Sequence, residues 1–196
     1  MESKLFTPVT FGPLTLRNRT IRSAAFESMC PGNAPSDMLL DYHRSVAAGG
    51  IGMTTVAYAA VTQSGLSFDR QLWMRPEIIP GLRRRTDAIH AEGAAAGIQL
   101  GHCGNMSHKS ICGCMPVGAS SGFNLYSPTF VRGLRADELP EMARAYGRSV
   151  NLAREAGFDS VEIHAGHGYL ISQFLSPSTN HRKDEFGGSL QNRMRF

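Results

Sequence analysis

Short apolar runs alternate with amphipathic stretches along most of this chain, and Gly- or Pro-containing turns separate them. Residues 6–16 place Gly12-Pro13 between two short apolar runs, which predicts a small hairpin. The later apolar runs are short and partly β-branched, as in the strands of a parallel sheet. They predict strands at residues 20–25, 51–60, 98–100 and 160–163, the last of them buried.

Amphipathic stretches lie between these strands and predict three helices. The first has Ser36 or Asp37 as its N-cap and runs to about Ala48, and the second runs from Pro80 to Gly93 or Gly97. Asp137 is the predicted cap of the third, which continues past Ala153. The order β-α-β-α-β-α-β predicts an α/β fold with a parallel sheet and right-handed crossovers. The Gly-, Ser- and Cys-rich segment 101–135 is interpreted as a long loop. Residues 1–196 are expected to form one domain.

Composition narrows the function. A hydrophobic content of 42% and a charged content of 18% are typical of a soluble globular protein. The net charge is only +4 and the basic residues are scattered, so no nucleic-acid partner is expected. The densest basic run, Arg83-Arg84-Arg85, is interpreted as a solvated helix face. No apolar run approaches the ~18 residues of a membrane span, and the polar start Met1-Glu2-Ser3-Lys4 lacks a signal peptide. We therefore expect no membrane association and a cytoplasmic location.

Cysteine and histidine side chains raise the alternative of a metal site. Without an export signal, the cysteines are expected to be free thiols. The spacing Cys112-x-Cys114 does not match common zinc or ferredoxin patterns, so no metal site is predicted. The candidates for a metal site are Cys103, Cys112, Cys114, His102 and His108, and Cys30 is the fourth cysteine.

The segment from His164 to Tyr169, His-Ala-Gly-His-Gly-Tyr, carries the most suggestive chemistry. It follows the fourth predicted strand, and α/β folds bind ligands at the carboxyl ends of their strands. Imidazole can donate a hydrogen bond to a carbonyl oxygen, and a phenol can supply a proton. The combination suits chemistry on an α,β-unsaturated carbonyl. Metal binding by the two histidines, or simple packing, are the alternatives.

Several motifs resemble the old yellow enzyme family of FMN oxidoreductases, including its branch with 2,4-dienoyl-CoA reductases. The resemblance is strongest in residues 164–171 and continues through Gln173-Phe174-Leu175-Ser176-Pro177 and residues 180–189. It implies the N-terminal half of a (β/α)8 TIM barrel with an N-terminal β-hairpin and the first four parallel strands. A complete barrel has eight strands and typically ~250 residues. The resemblance therefore implies a partial barrel that lacks its C-terminal half. On its own, this half is expected to bind FMN weakly or not at all and to be inactive, and a homo-oligomer is a further possibility.

The resemblance also implies the function and the roles of individual residues. NADH or NADPH would reduce FMN, which would pass hydride to the activated C=C bond of a small-molecule substrate. His164 and His167 would hold the carbonyl oxygen, and Tyr169 would protonate the neighbouring carbon. The resemblance also implies that Asn180 and Arg182 organise the loop after the fourth strand through hydrogen bonds. The flavin would lie against Ser23, Ala24, Ala25, Ala60 and Gln99.

Two further hypotheses remain at this stage. The chain could be a non-catalytic half-barrel that needs a partner to fold. It could also be a metal-dependent hydrolase that uses its histidine and cysteine side chains.

Overall fold

The computed structural model describes residues 3–196; Met1 and Glu2, the start of the polar N-terminal segment, lie outside the described residues. Within this range the helices are α1 (Asp37–Ala48), α2 (Ile79–Ala91), α3 (Lys109–Cys112), α4 (Leu139–Glu155), α5 (Leu170–Leu175) and α6 (Leu190–Arg193). The strands are β1 (Val9–Phe11), β2 (Leu14–Leu16), β3 (Ile21–Arg22), β4 (Met53–Ala60), β5 (Ala95–Gly101), β6 (Val117–Gly118), β7 (Gly122–Asn124), β8 (Thr129–Gly133) and β9 (Ser160–Ile163).

A parallel sheet with strand order β3-β4-β5-β9 forms the framework of the chain. Ile21 pairs with Met53 and Arg22 with Thr54 in parallel register. Helices α1, α2 and α4 connect the strands in the predicted order, which confirms the α/β class. The predicted hairpin is also confirmed, because β1 and β2 pair in antiparallel register around Gly12, whose φ is +54°.

Two helix boundaries follow local chemistry. The Ser36 side chain accepts a hydrogen bond from the Leu39 N–H at 3.2 Å, so Ser36 is the N-cap of α1 as predicted. The third predicted helix begins with a 3₁₀ turn at Ala136–Glu138 before α4. The carboxylate of Glu138 accepts a hydrogen bond from the Arg135 N–H at 2.8 Å, which satisfies a backbone donor at this helix start.

The interpretation of residues 101–135 as a long loop is wrong. A three-stranded sheet of order β6-β8-β7 lies within this segment, together with α3. Phe123 pairs with Phe130 across β7 and β8, and their ring centroids lie 5.1 Å apart. Glycines at strand positions hid this sheet from the sequence pattern, because glycine is normally depleted in strands.

Two further expectations are corrected. Arg85 does not lie on a solvated face: it is only 1% exposed, and its guanidinium donates hydrogen bonds to the carbonyl oxygens of Ser36 and Gly81. Strand β9 is not buried along its length, since Ile163 is 44% exposed. The reason is that β9 is an edge strand of the described sheet and has a neighbour on one side only. No helix within residues 3–196 is long and apolar enough to span a bilayer.

The described chain divides into two compact units. The first comprises residues 3–59, 70–99 and 150–162, and the second residues 60–69, 100–149 and 163–196. In the first unit, Arg17 donates to the carbonyl oxygens of Ala47, Ile51 and Glu92 at 2.5–2.9 Å, which satisfies groups at the C-terminal ends of α1 and α2.

The second unit has its own apolar core, to which α4, α5 and the small sheet contribute. Arg182 organises the loop that follows α5, as expected. It donates to the Ala119 carbonyl at 3.0 Å and to the Asp184 carboxylate at 2.9 Å. Asn180 bridges the Phe174 and Phe186 carbonyl oxygens, each at 2.8 Å. The buried core residues are Val117, Ala119, Leu134, Leu139, Met142, Leu170 and Phe174.

Candidate active site

The loop between β9 and α5 brings three aromatic side chains together within the second unit. The ring centroid of His164 lies 4.9 Å from that of His167 and 4.8 Å from that of Tyr169. His167 and Gly168 have left-handed backbone conformations, with φ of 55° and 69°. Such a conformation costs a histidine roughly 1–3 kcal/mol, so surrounding contacts must hold the loop in this shape. The three residues predicted to be catalytic therefore form one cluster.

Hydrogen bonds define the tautomers of the two imidazoles. The Gly166 N–H donates to His164 Nδ1 at 3.3 Å, so this nitrogen carries no proton. His164 Nε2 lies 3.0 Å from His167 Nδ1, and we assign the proton of this bond to His164 Nε2. The remaining proton of a neutral His167 is then on its Nε2. This side chain is exposed, so its N–H can be offered to a ligand oxygen.

Tyr169 contributes a phenol to the cluster. Its side chain is half-buried, and this burial raises the pKa of the phenol above its usual value. A hydrogen bond with Ser67 opposes the shift but does not reverse it. Tyr169 is therefore a protonated phenol at neutral pH. Ser67 gave no signal in the sequence, because it lies in the distant segment after β4.

Gln173 connects this loop to the segment after β5 and is fully buried. Its amide nitrogen lies 2.6 Å from the Gly168 carbonyl oxygen and 3.1 Å from the Cys103 carbonyl oxygen. Its amide oxygen accepts a hydrogen bond from the Asn105 N–H at 3.1 Å. Gln173 lies in the motif Gln173–Pro177, to which the resemblance assigns no role. A polar residue on an otherwise apolar helix face was the available signal.

His102, directly after β5, also contacts the loop that carries the cluster. Its carbonyl oxygen accepts a hydrogen bond from the Leu170 N–H at 2.9 Å, at the start of α5. Its Nδ1 accepts from the Gly104 N–H at 2.9 Å, and its Nε2 lies 3.1 Å from the Ser64 hydroxyl. Burial lowers the pKa of His102 to about 3. His102 is therefore neutral, and both of its ring nitrogens are engaged by hydrogen bonds within the protein.

The predicted flavin contacts have different surroundings. In the first unit, Ser23 and Ala25 are exposed and Ala24 is half-buried, directly after β3. Gln99 is also half-buried, and its amide nitrogen donates to the Glu162 carboxylate. Strand β5 continues two residues beyond Gln99. Ala60, in the second unit, is fully buried.

The cysteines are free thiols. Among the residues that the structure describes, no group of three or more His, Cys, Asp or Glu side chains could hold a metal ion. Burial raises the pKa of both Cys30 and Cys103 to about 12. The Cys112 and Cys114 sulfur atoms lie 3.8 Å apart.

The fold and the cluster together define a class: an α/β protein with an imidazole pair and a phenol beyond the carboxyl end of a strand. Comparison with known proteins specifies this class further. The profile of the NADH:flavin oxidoreductase / NADH oxidase family matches residues 4–196. The chain belongs to this family, whose cofactors are FMN and a nicotinamide dinucleotide.

Individual relatives agree with this assignment. The chain is 42% identical over 192 residues to a 4,4'-dithiodibutanoate disulfide reductase of Rhodococcus erythropolis, covering 98% of this chain and 48% of that protein. It is 37% identical over 201 residues to an NADPH dehydrogenase of Bacillus subtilis strain 168, covering 100% and 58%. The old yellow enzyme homologue of Zymomonas mobilis superposes with a TM-score of 0.91 at 30% identity, covering 98% and 57%. The chain thus spans about half the length of these relatives, as the expected half of a TIM barrel does.

Proposed function

We propose that this chain contributes the substrate-activating part of an FMN-dependent ene reductase. The substrate would be a small α,β-unsaturated carbonyl compound, and NADH or NADPH would be the reductant. The observation that carries the proposal is the cluster of His164, His167 and Tyr169, which offers an N–H donor and a phenol side by side. Relatives are named for disulfide, metal and NADPH chemistry, so the family alone does not identify the acceptor.

The imidazoles polarise the substrate. His167 presents its Nε2–H to the carbonyl oxygen, while His164 fixes the orientation of the His167 ring through their shared hydrogen bond. Negative charge develops on that oxygen when hydride reaches the β-carbon, and a preoriented N–H donor stabilises it.

Tyr169 completes the reaction by moving a proton from its hydroxyl to the α-carbon. The α,β double bond is thereby reduced, with hydride at one carbon and a proton at the other. Burial raises the pKa of Tyr169, so the acid form persists throughout the neutral range. Ser67 holds the phenol oxygen through a hydrogen bond and restricts where its proton points.

The residues predicted to hold the flavin fit this group in two respects. The Glu162 carboxylate accepts from the Gln99 amide nitrogen, so the amide oxygen is oriented and can accept a hydrogen bond from a flavin ring N–H. The small side chains of Ser23, Ala24 and Ala25 allow a flat ring to approach the backbone. Ala60 is fully buried, so its side chain offers no surface to the ring. When bound, FMN supplies the hydride.

Replacement of the phenol tests the proposal. In the FMN-loaded protein, Tyr169→Phe keeps the aromatic ring against His164 but removes the proton donor. We expect NADPH-driven reduction of 2-cyclohexenone under anaerobic conditions to fall by about 100-fold or more. Reduction of ferricyanide by NADPH needs no proton at carbon and should stay within about twofold of the wild-type rate.

A matched control tests whether the effect is specific to Tyr169 or follows from replacing any tyrosine by phenylalanine. Tyr126 is 94% exposed, so Tyr126→Phe should leave both reactions unchanged. If Tyr169→Phe reduces 2-cyclohexenone at the wild-type rate, Tyr169 is not the acid and the proposal fails. If the wild-type protein reduces ferricyanide but no activated alkene, the family assignment stands and the proposed substrate class is wrong.

A further inference from the structure

Two cysteines form a pair outside the candidate active site. Cys112 is the last residue of α3, and Gly113 follows with a φ of +74° and an N–H that donates to the Lys109 carbonyl at 2.9 Å. This left-handed turn, which glycine adopts without strain, brings Cys114 back towards Cys112. The Cys114 thiol donates to the Cys112 sulfur, with 3.8 Å between the two atoms. The sulfur atoms are thus in contact, and a disulfide would bring them to about 2.05 Å.

The two thiols differ in access. Cys112 is 1% exposed, and its S–H donates to the Cys114 carbonyl oxygen at 3.2 Å. Cys114 is exposed and lines a cavity of about 580 Å³ in the second unit. One sulfur can therefore meet a ligand, while the other lies behind it, within reach of the first.

The cavity walls indicate the kind of ligand. Its charged side chains pair with one another: Arg132 with Glu138 at 2.7 Å, Arg148 with Glu141 at 2.8 Å and Arg135 with Asp137 at 3.0 Å. The opposite charges within each pair neutralise one another, so the cavity wall offers no excess charge to an ionic ligand. The remaining surface is largely apolar and suits short carbon chains. Its apolar residues are Met115, Val117, Leu134, Met142 and Ala145.

We propose that Cys112 and Cys114 form a redox-active dithiol that reduces small, uncharged organic disulfides bound in this cavity. The site is separate from the His164 cluster and needs neither FMN nor NADPH for one turnover. It therefore goes beyond the proposed ene reduction, and either proposal can fail without the other.

The exchange proceeds in two balanced steps. The Cys114 thiolate attacks one sulfur of the substrate disulfide, forms a mixed disulfide and releases the first substrate thiolate. The Cys112 thiolate then attacks Cys114 Sγ, forms the Cys112–Cys114 disulfide and releases the second. Two electrons pass from the protein dithiol to the substrate, and the released thiolates take up the two cysteine protons.

The electrostatics of Cys114 set the pH dependence of the first step. The partial burial of the Cys114 thiol, together with the neighbouring Cys112, raises the pKa of Cys114 to about 11. Only the thiolate attacks, so the exchange rate should rise by about tenfold for each pH unit between pH 7 and pH 9. A higher pKa also makes the thiolate intrinsically more nucleophilic, which offsets part of its low population.

Peptide mapping after one turnover tests the proposal. The reduced protein, freed of reductant under anaerobic conditions, is mixed with 2-hydroxyethyl disulfide at pH 8.5, and the released thiol is measured. We expect two thiols per chain and a tryptic peptide Ser110–Arg132 that is lighter by two hydrogens, since this peptide contains Cys112 and Cys114 and no other cysteine. Dithiothreitol should restore its original mass.

Variants assign the two roles. Cys114→Ser, at an exposed position, should slow thiol release by at least about tenfold. Cys112→Ala should stop after the first step, with one thiol released and a stable mixed disulfide on Cys114. Cys30→Ala is the control, because burial keeps the pKa of that thiol at about 12 and its loss should leave the exchange unchanged. Reaction mapped to Cys30 or Cys103, a wild-type reaction that stops at the mixed disulfide, or an unaltered rate in Cys114→Ser would each overturn the proposal.

Discussion

Two loops of the second unit begin with the same pattern, His-x-Gly. Each pattern directly follows a strand: His102 comes after β5 and His164 after β9. In the loop after β5, the Gly104 N–H donates to His102 Nδ1 at 2.9 Å. In the loop after β9, the Gly166 N–H donates to His164 Nδ1 at 3.3 Å. The same backbone donor therefore leaves both histidines with their proton on Nε2.

The two loops differ in what lies beyond Nε2. For His102 it is the Ser64 hydroxyl, at 3.1 Å, and the imidazole is completely buried. For His164 it is the exposed imidazole of His167, at 3.0 Å. The hydrogen-bond chain from His102 continues to the half-buried hydroxyls of Ser64 and Thr62, whereas the chain from His164 ends on an exposed imidazole that can donate to a ligand. Burial and the second partner, and not the local motif, separate a structural histidine from a candidate catalytic one.

The largest expected effect comes from removing His167, the exposed end of the hydrogen-bond chain after β9. His167→Ala removes the N–H donor, and we expect kcat/KM for 2-cyclohexenone in the FMN-loaded protein to fall by about 10²–10³-fold. His167→Asn should retain much more activity, because asparagine tolerates a left-handed backbone and its amide can also donate.

The control for this experiment is His181→Ala. His181 is exposed and its Nε2 lies 3.0 Å from the Ser178 carbonyl oxygen, so its loss should change kcat/KM little. Equal losses of activity in His167→Asn and His167→Ala would show that hydrogen-bond donation at this position is not what matters.

Much of the fold could be predicted from the sequence, because periodicity and turn residues report local structure directly. Ser36 and the Gly12-Pro13 turn marked a helix start and a hairpin within a residue or two of their observed positions. The cluster of His164, His167 and Tyr169 was equally accessible, since its members lie within six consecutive residues of one loop.

Features that depend on distant partners were not predictable in this way. In the sequence, Arg85 cannot be told apart from its basic neighbours. Its burial depends on a partner 49 residues away, the Ser36 carbonyl oxygen to which it donates a hydrogen bond. Ser67 meets Tyr169 across more than a hundred residues of chain. By sequence alone, His102 is a candidate metal ligand. Its complete burial could not be predicted, because it depends on packing between segments rather than on any local pattern.

A smaller effect should appear in the acid stability of the protein. Burial lowers the pKa of His102 to about 3, from 6.5, so between these values the unfolded chain binds a proton that the folded chain does not. This contribution to stability is complete above pH 6.5 and is lost as the pH falls towards 3. One such group changes the free energy of unfolding by roughly 1.4 kcal/mol per pH unit, or about 3 kcal/mol between pH 6.5 and pH 4.

Urea unfolding at several pH values measures this contribution. His102→Gln cannot be protonated, so its free energy of unfolding should decline less steeply below pH 6.5 than that of the wild type. The exposed variant His181→Gln should keep the wild-type slope. Parallel curves for His102→Gln and the wild type would mean that the folded protein accommodates a protonated His102.

The smallest expected effect compares the glycines of the two His-x-Gly patterns. Gly104 has a φ of +63°, and a Cβ there would overlap the Gln173 amide, which is buried and held by several hydrogen bonds. Gly104→Ala should therefore cost about 2 kcal/mol in the free energy of unfolding. A Cβ at Gly166 would come no closer than 3.4 Å to its nearest neighbour, His164 Cε1, so Gly166→Ala should stay within about 0.5 kcal/mol of the wild type. Equal costs at the two positions, measured by urea unfolding at pH 7, would contradict the distinction between a closed loop after β5 and an open one after β9.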